Sequence, residues 1–308
     1  WREYDDIYTD SLWIINKRDN SGAHKFRYHG NFVPQIAYQL LSRYTKKGDW
    51  VLDPFMGSGT TLIEAQRMGR NSIGIELQDN IAEEAKERIK SENKPDINSI
   101  IITGDSKKYD ISNKLKELGI ESVQFIMYHP PYWDIIKFSD NNEDLSNCKT
   151  LDAFKEDFGK VIDNCNRFLE NGRYCGIVIG DKYADSQITP LGSICMNLFL
   201  ERGLILKAII VKNFGDTEGK SNQQAIWRYR AMSADYYVFK HEYIMVFKKD
   251  EKKKLPIKAV LKTLSGLPSF SACLKKDVSI PPKRTTKKNA IYAEISVVIP
   301  YSNSLSNP

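Results

Sequence analysis

From Asp49 to Phe247 the chain alternates short β-branched apolar runs with longer amphipathic stretches. The runs "DWVLDPF", "SIGIEL", "SIIITGD", "VQFIMYHP", "RYCGIVIGD", "LILKAIIVKN" and "YIMVFKK" have the length and residue types of buried strands. Between them, "TLIEAQRMG", "IAEEAKERIK", "ISNKLKELG", "LDAFKEDFGKVIDNCNRFLENG" and "TPLGSICMNLFLERG" carry helical patterns, the first stopped by Gly69. Seven strands spaced by helices of this length predict an α/β fold: a doubly wound, mostly parallel seven-stranded sheet with helices on both faces.

Three stretches break the rhythm. Residues 1–33 form an aromatic and polar lead-in, 134–150 ("DIIKFSDNNEDLSNCKT") a long polar loop, and 214–235 ("FGDTEGKSNQQAIWRYRAMSAD") a longer one. Inserts of this size in an α/β domain tend to be functional or unstructured. The organisation expected is thus a lead-in over 1–33, a main domain over 34–249 with inserts at 134–150 and 214–235, and a tail over 250–308.

Charge separates the tail from the rest. The whole chain has 45 Lys+Arg against 39 Asp+Glu, but from Lys248 to Pro308 there are 13 against 4, so the basic excess lies entirely there. Such a tail is either a solvated segment or an arm that contacts phosphates. With 308 residues, 41% of them hydrophobic, the chain can bury a full core. No apolar run is long enough to span a membrane and the start is too polar for a secretory signal, so a cytoplasmic protein without membrane partners is expected. Five scattered cysteines, no C-x-x-C pair and four histidines suggest neither a disulfide framework nor a metal site.

The chemistry concentrates at the strand ends. In a doubly wound sheet the ligand lies beyond the carboxyl ends of the strands, and the first strand-to-helix turn must let backbone approach it closely. Gly57 and Gly59 in "DPFMGSGTT" supply that approach. No Lys follows, which disfavours a Walker-type phosphate cradle, and the third glycine of the dinucleotide fingerprint is missing. Glu76 ends the next strand, where a carboxylate can accept hydrogen bonds from both hydroxyls of a ribose. Asp105 ends the third, placed for an adenine amino group. After a glycine turn, the two acids together describe an adenosine pocket.

"DPFMGSGTTLIEA", "GIEL" and "HPPYW" together resemble the S-adenosylmethionine-dependent DNA methyltransferases that modify exocyclic amines at cytosine N4 or adenine N6. The resemblance covers about residues 29–249 and implies the Rossmann-like fold of that family, with S-adenosylmethionine as cofactor and DNA as partner. It implies that Asp53, Phe55, Gly57 and Gly59 line the methionine part, that Glu76 holds the ribose, and that Asp105 reads the adenine. "YHGNFVPQIAYQLLSRYTKKGD" resembles the segment that closes over the carboxylate end, making His29, Asn31 and Phe32 pocket residues. The same stretch is also an amphipathic helix with Pro34 at its start, ready to pack on the sheet.

"HPPYW" follows the fourth strand and so overhangs the same edge. An exocyclic amine is a poor nucleophile because its lone pair is delocalised into the ring, and acceptors aimed at both N–H groups favour a pyramidal nitrogen. The His129 side chain and the Pro130 carbonyl can be those acceptors, with Pro131 stiffening the backbone and Tyr132 offering a face on which a flipped base stacks. The family usually carries Asp, Asn or Ser where this chain has His129, and only a neutral imidazole can accept. The alternative is that a Pro-Pro loop simply ends a strand.

The glycine loop precedes the proline loop here, the reverse of many enzymes with this style of motif. That order leaves the third insert and the tail as the surface for reading DNA, with Gln223, Gln224, Arg228 and Arg230 able to pair with base edges and Trp227 and Tyr229 able to stack or wedge; Trp133 is a further candidate for DNA contact. By resemblance, Trp133 and the absence of Asp or Asn at 129 lean toward cytosine N4, with adenine N6 as the alternative. The resemblance further implies base flipping, DNA methylation in a restriction-modification system, and a cognate restriction endonuclease or other defence-system subunit as partner. Methylation of RNA or protein amines, and a catalytically inert DNA- or partner-binding subunit, are the competing functions.

Overall fold

The computed structural model describes residues 5–25, 30–92, 94–214, 224–233 and 236–250, with backbone alone at 224, 225 and 227. All of these fall in the first of two units into which the chain divides, Trp1–Ile257 and Lys258–Pro308.

The main sheet has eight strands in the order β1-β9-β10-β6-β5-β2-β3-β4. They are β1 (Leu12–Trp13), β2 (Trp50–Asp53), β3 (Asn71–Glu76), β4 (Ser99–Thr103), β5 (Val123–Tyr128), β6 (Leu169–Ile179), β9 (Ile205–Asn213) and β10 (His241–Lys248). β10 runs antiparallel to both β6 and β9, and every other pair is parallel. The seven expected strands are all present. The eighth, β1, comes from the lead-in, where Leu12 and Trp13 pair with Val211 and Lys212. Two residues are too few to show a period.

The helices α1 (Pro34–Tyr44), α2 (Thr60–Met68), α3 (Asp79–Lys90), α4 (Ser112–Glu117), α5 (Leu151–Asn166) and α6 (Leu191–Glu201) form the outer layers. β5 shows why both faces must be covered. Its Phe125 and Met127 pack with Ile36 and Leu40 of α1, whereas Ile126 and Tyr128 pack with Phe154 and Phe158 of α5 and Phe199 of α6. Alternate residues point to opposite faces, so a strand buried on both sides reads as a continuous apolar run.

Two elements were not foreseen. A hairpin, β7 (Lys182–Ala184) and β8 (Gln187–Thr189), turns through Asp185 and Ser186 with φ of 51° and 59°. Asp and Ser tolerate that left-handed pair in a two-residue turn. A further helix, α7 (Gln224–Ser233), lies within the 214–235 insert. Among the described residues no helix is long and apolar enough to cross a membrane.

Strand order reverses at β2. β3 and β4 lie to one side of it, β5 and β6 to the other. The parallel strands bring Asp53, Glu76, Thr103 and Tyr128 to one edge, the carboxyl edge beside a topological switch point where α/β sheets bind ligands.

Candidate active site

A cavity of about 1000 Å³ opens at this edge. Its walls include Phe55 and Gly57 of the glycine loop, Glu76 and Asp105 at the ends of the neighbouring strands, and His129 to Tyr132. The two motifs thus face one space.

The glycine loop is held from beneath. Asp53, 1% exposed, does not line the cavity; its carboxylate accepts from the Phe55 amide at 2.9 Å. Burial pushes its pKa up to about 7. Gly57 and Gly59 have φ of 51° and 87°, conformations that favour glycine, and Gly59 caps α2 behind the cavity wall. Asp53 and Gly59 therefore shape the loop, while Phe55 and Gly57 meet what it encloses.

Glu76 spans the loop and the next helix. Its carboxylate accepts from the Gly57 amide at 2.9 Å and from the Gln78 amide at 3.0 Å. Burial raises its pKa, and those amides oppose the rise. One oxygen of Asp105 accepts from the Lys107 amide at 2.9 Å. The other is buried and accepts no hydrogen bond among the described residues, with the Lys108 ammonium in ion-pair range at 3.4 Å. With Lys107 also 4.0 Å away, that oxygen has ion partners but no hydrogen-bond donor among the described residues; a donor from a ligand would complete it, and the exocyclic amine of adenine is one. With Glu76 beside the glycine loop, these residues fit S-adenosylmethionine.

The segment before α1 closes one side. Asn31, Phe32 and Val33 line the cavity, and Asn31 accepts from the Ser58 hydroxyl at 2.8 Å, which ties the segment to the glycine loop. His29 and Gln223 lie outside the described residues. The lead-in joins the wall through Ile15 to Arg18, with the Arg18 guanidinium donating to the Phe32 carbonyl at 2.6 Å. It is anchored on α2 by the buried pair His24 and Glu64, 2.7 Å apart, and just beyond α3 by Glu92, which accepts from the Ala23 amide.

The 134–150 insert folds back over the acids. Ile136, Phe138, Glu143 and Asp144 line the cavity. Lys107 pins the insert, its ammonium lying 2.8 Å from the Glu143 carboxylate and 3.1 Å from Asp157. Gly30 faces the Phe138 ring so closely that a Cβ there would meet it at 2.9 Å. The 134–150 insert thus contributes a wall of the cavity.

In the proline loop, His129 is half-buried between two rings. Phe32 stands edge-on at 5.0 Å and Tyr132 edge-on at 5.7 Å. Burial lowers the imidazole pKa to about 4, so the ring is neutral at physiological pH. It makes no hydrogen bond among the described residues, which leaves its acceptor to the cavity. Tyr132 packs against Gly180 and donates to Glu242 at 3.1 Å. Glu242 also accepts from the Lys212 ammonium at 2.9 Å, and both residues line the cavity. Sequence reasoning missed this pair. No local pattern marks it, because its partners meet only through the pairing of β9 with β10.

Trp133 has φ of 53°, donates its indole N–H to the Cys148 carbonyl at 2.8 Å, and lies under the Lys182 ammonium at 4.1 Å. It anchors the hairpin to the proline loop. Arg228 and Arg230 are exposed on α7 and do not line the cavity; the side chains of Gln224 and Trp227 lie outside the described residues. Among the described residues no cluster of His, Cys, Asp or Glu has the arrangement of a metal site.

A sequence model of the N6/N4 DNA methylase family matches residues 2–87 and 123–296. The chain is 39% identical over 93 residues to the Type II methyltransferase M.MthZI of Methanothermobacter thermautotrophicus, which is 29% of this chain and 26% of that one. It is 37% identical over 140 residues to the Type II methyltransferase M.MjaII of Methanocaldococcus jannaschii, 46% of this chain and 20% of that one. The aligned part thus spans about a quarter or less of these curated relatives. Among solved structures, a TehB-like SAM-dependent methyltransferase from Corynebacterium glutamicum is similar at 13% identity with a TM-score of 0.42, over 70% of this chain and 87% of that one.

Proposed function

Because the chain belongs to the DNA methylase family of N6 and N4 amino-methyltransferases, we propose that it moves a methyl group from S-adenosylmethionine to an exocyclic amine of a base turned out of DNA, with cytosine N4 as target. One observation carries the reading: a single cavity joins the open acceptor of Asp105 to His129 and the proline loop. S-adenosylmethionine would supply, when bound, a methyl group made electrophilic by a sulfonium, whose carbon–sulfur bond would break with its electron pair going to sulfur to leave a neutral thioether.

The chain's residues do the rest. Asp105 accepts from the adenine amine, Glu76 takes the ribose hydroxyls while steadying the glycine loop, and Asn31 and Phe32 close the methionine side. Tyr132 stacks the flipped base. His129, neutral, accepts one N–H of the target amine and the Pro130 carbonyl accepts the other, which draws the nitrogen lone pair out of the ring. As the nitrogen gains the methyl carbon it sheds a proton, which His129 takes. No protein nucleophile is needed. Burial pushes the thiols of Cys165, Cys175 and Cys195 well up, and no cysteine stands in the proline loop.

Trp133, Gln223, Gln224, Trp227, Arg228 and Arg230 are the proposed DNA contacts around this centre, with cytoplasmic DNA as substrate and a restriction endonuclease as functional partner. The rival target, adenine N6, presents an amine beside a ring nitrogen in the same way. Incubation with unmethylated mixed-sequence DNA and S-adenosylmethionine, followed by mass analysis of the nucleosides, tests the reading. N4-methylcytosine is expected, N6-methyladenine would move the target to adenine, and neither product would leave an inert binding subunit.

A further inference from the structure

We propose that Lys212 reads the Watson–Crick edge of the flipped base and keeps its ring nitrogen from competing with the amine for the methyl group. The proposal rests on the methyltransferase reading and names the group that selects cytosine within it.

Lys212 and Glu242 face each other across the antiparallel pair β9 and β10, and are 3% and 5% exposed. Burying an ion pair seldom stabilises a sheet more than an apolar pair would. A charged pair on a cavity wall therefore calls for a role beyond packing. The Glu242 carboxylate has both oxygens committed, one to Lys212 at 2.9 Å and the other to the Tyr132 hydroxyl at 3.1 Å. This sets the ammonium beside the residue on which the base stacks. An ammonium carries three donors. Glu242 is its one hydrogen-bond acceptor among the described residues, and the Phe214 ring lies 5.4 Å from the ammonium. Two N–H groups are left for whatever enters.

A base whose amine is held by His129 and Pro130 presents its neighbouring edge atoms to that wall. Cytosine offers two adjacent acceptors there, N3 and O2. Adenine offers N1 and then a C–H. Two open donors match cytosine. The match has a chemical consequence, since the ring nitrogen keeps its lone pair in the ring plane and is the stronger nucleophile, whereas the amine's is delocalised. Hydrogen bonds from Lys212 occupy N3 and leave N4 to form the new bond. Lys212 itself neither gains nor loses a covalent bond.

The test compares wild type with the double variant Lys212→Met, Glu242→Gln, which removes the donors without stranding a buried charge and keeps an acceptor for Tyr132. Both are given unmethylated mixed-sequence DNA and S-adenosylmethionine, and the nucleosides are separated by chromatography against N4-methyl- and 3-methyldeoxycytidine standards, which share one mass, before they are weighed. Expected are N4-methylcytosine from wild type and, from the variant, at least tenfold less of it together with 3-methylcytosine, at unchanged cofactor affinity. N4-methylcytosine at the wild-type rate with no ring-methylated product would overturn the role of Lys212. N6-methyladenine from wild type would overturn its match to cytosine, and no product from wild type would overturn the reading beneath it. A second measurement needs no variant. Once the target site is mapped, a duplex with 3-deazacytosine at the target and no base opposite it, so that flipping costs the same in both, should bind wild type at least tenfold more weakly than its cytosine counterpart, and equal affinity would sink the proposal.

Discussion

The imidazole of His129 stands edge-on to the ring of Phe32, their centroids 5.0 Å apart and their planes at 84°. A residue from the segment ahead of α1 thus shields the first residue of the proline loop, and the shielding keeps that imidazole neutral. Burial holds its pKa at about 4, below the ordinary value of 6.5. Between these two values the unfolded chain binds a proton that the folded chain does not. This contribution is absent above pH 6.5, lowers stability as pH falls from there, and levels off below about pH 4. His129→Asn should flatten the stability profile in that window, measured by urea unfolding. The acid limb of the wild-type rate should lie near the lower value, and a limb at the ordinary one would contradict a shielded acceptor.

Glu76→Ala should weaken S-adenosylmethionine binding by about 1–3 kcal/mol, the cost of leaving ribose hydroxyls unpaired. Because burial raises the Glu76 pKa, its carboxylate protonates above the usual glutamate range. Cofactor affinity should therefore decline, as pH falls, earlier than an exposed glutamate would allow. Calorimetry across pH reads both effects.

Asp105→Asn keeps the size of the side chain and an oxygen for the Lys107 amide, but turns the open acceptor into a donor facing the adenine amine. Affinity should drop about tenfold or more, equivalent to ~1.4 kcal/mol. The melting temperature without cofactor should hold or fall, since the amide gives up the ion pairs of the carboxylate with Lys108 at 3.4 Å and Lys107 at 4.0 Å. A lower melting temperature with unchanged affinity would make Asp105 a purely structural residue.

Replacing Cys148, Cys165, Cys175, Cys195 and Cys273 by Ser or Ala should leave methyl transfer intact. Among the described residues three of these thiols are buried, so some loss of stability is expected. Abolished activity in a folded variant would point to a covalent step.

Deleting residues 251–308 should weaken DNA binding and flatten its dependence on salt, because each lysine or arginine that neutralises a phosphate releases a counterion. An unchanged slope of log affinity against log salt would assign the basic tail elsewhere.

The sequence by itself determined seven of the sheet's eight strands, the glycine turn, the strand-end acids and the proline loop. These are written in short-range features: the two-residue period of a strand, the left-handed backbone that Gly57 and Gly59 permit, the stiffness of Pro130 and Pro131. Tertiary structure decided the rest. The two residues of β1 become a strand only when β9 is there to pair with, and the polar 134–150 insert becomes a wall only when Lys107 bonds Glu143 and Asp157. Tyr132 meets Glu242 across 110 positions, and Lys212 meets the same carboxylate across 30. Such contacts leave no local period, because the register of β9 against β10 chooses which side chains face each other and the packing of that pair beside β6 places them at the cavity.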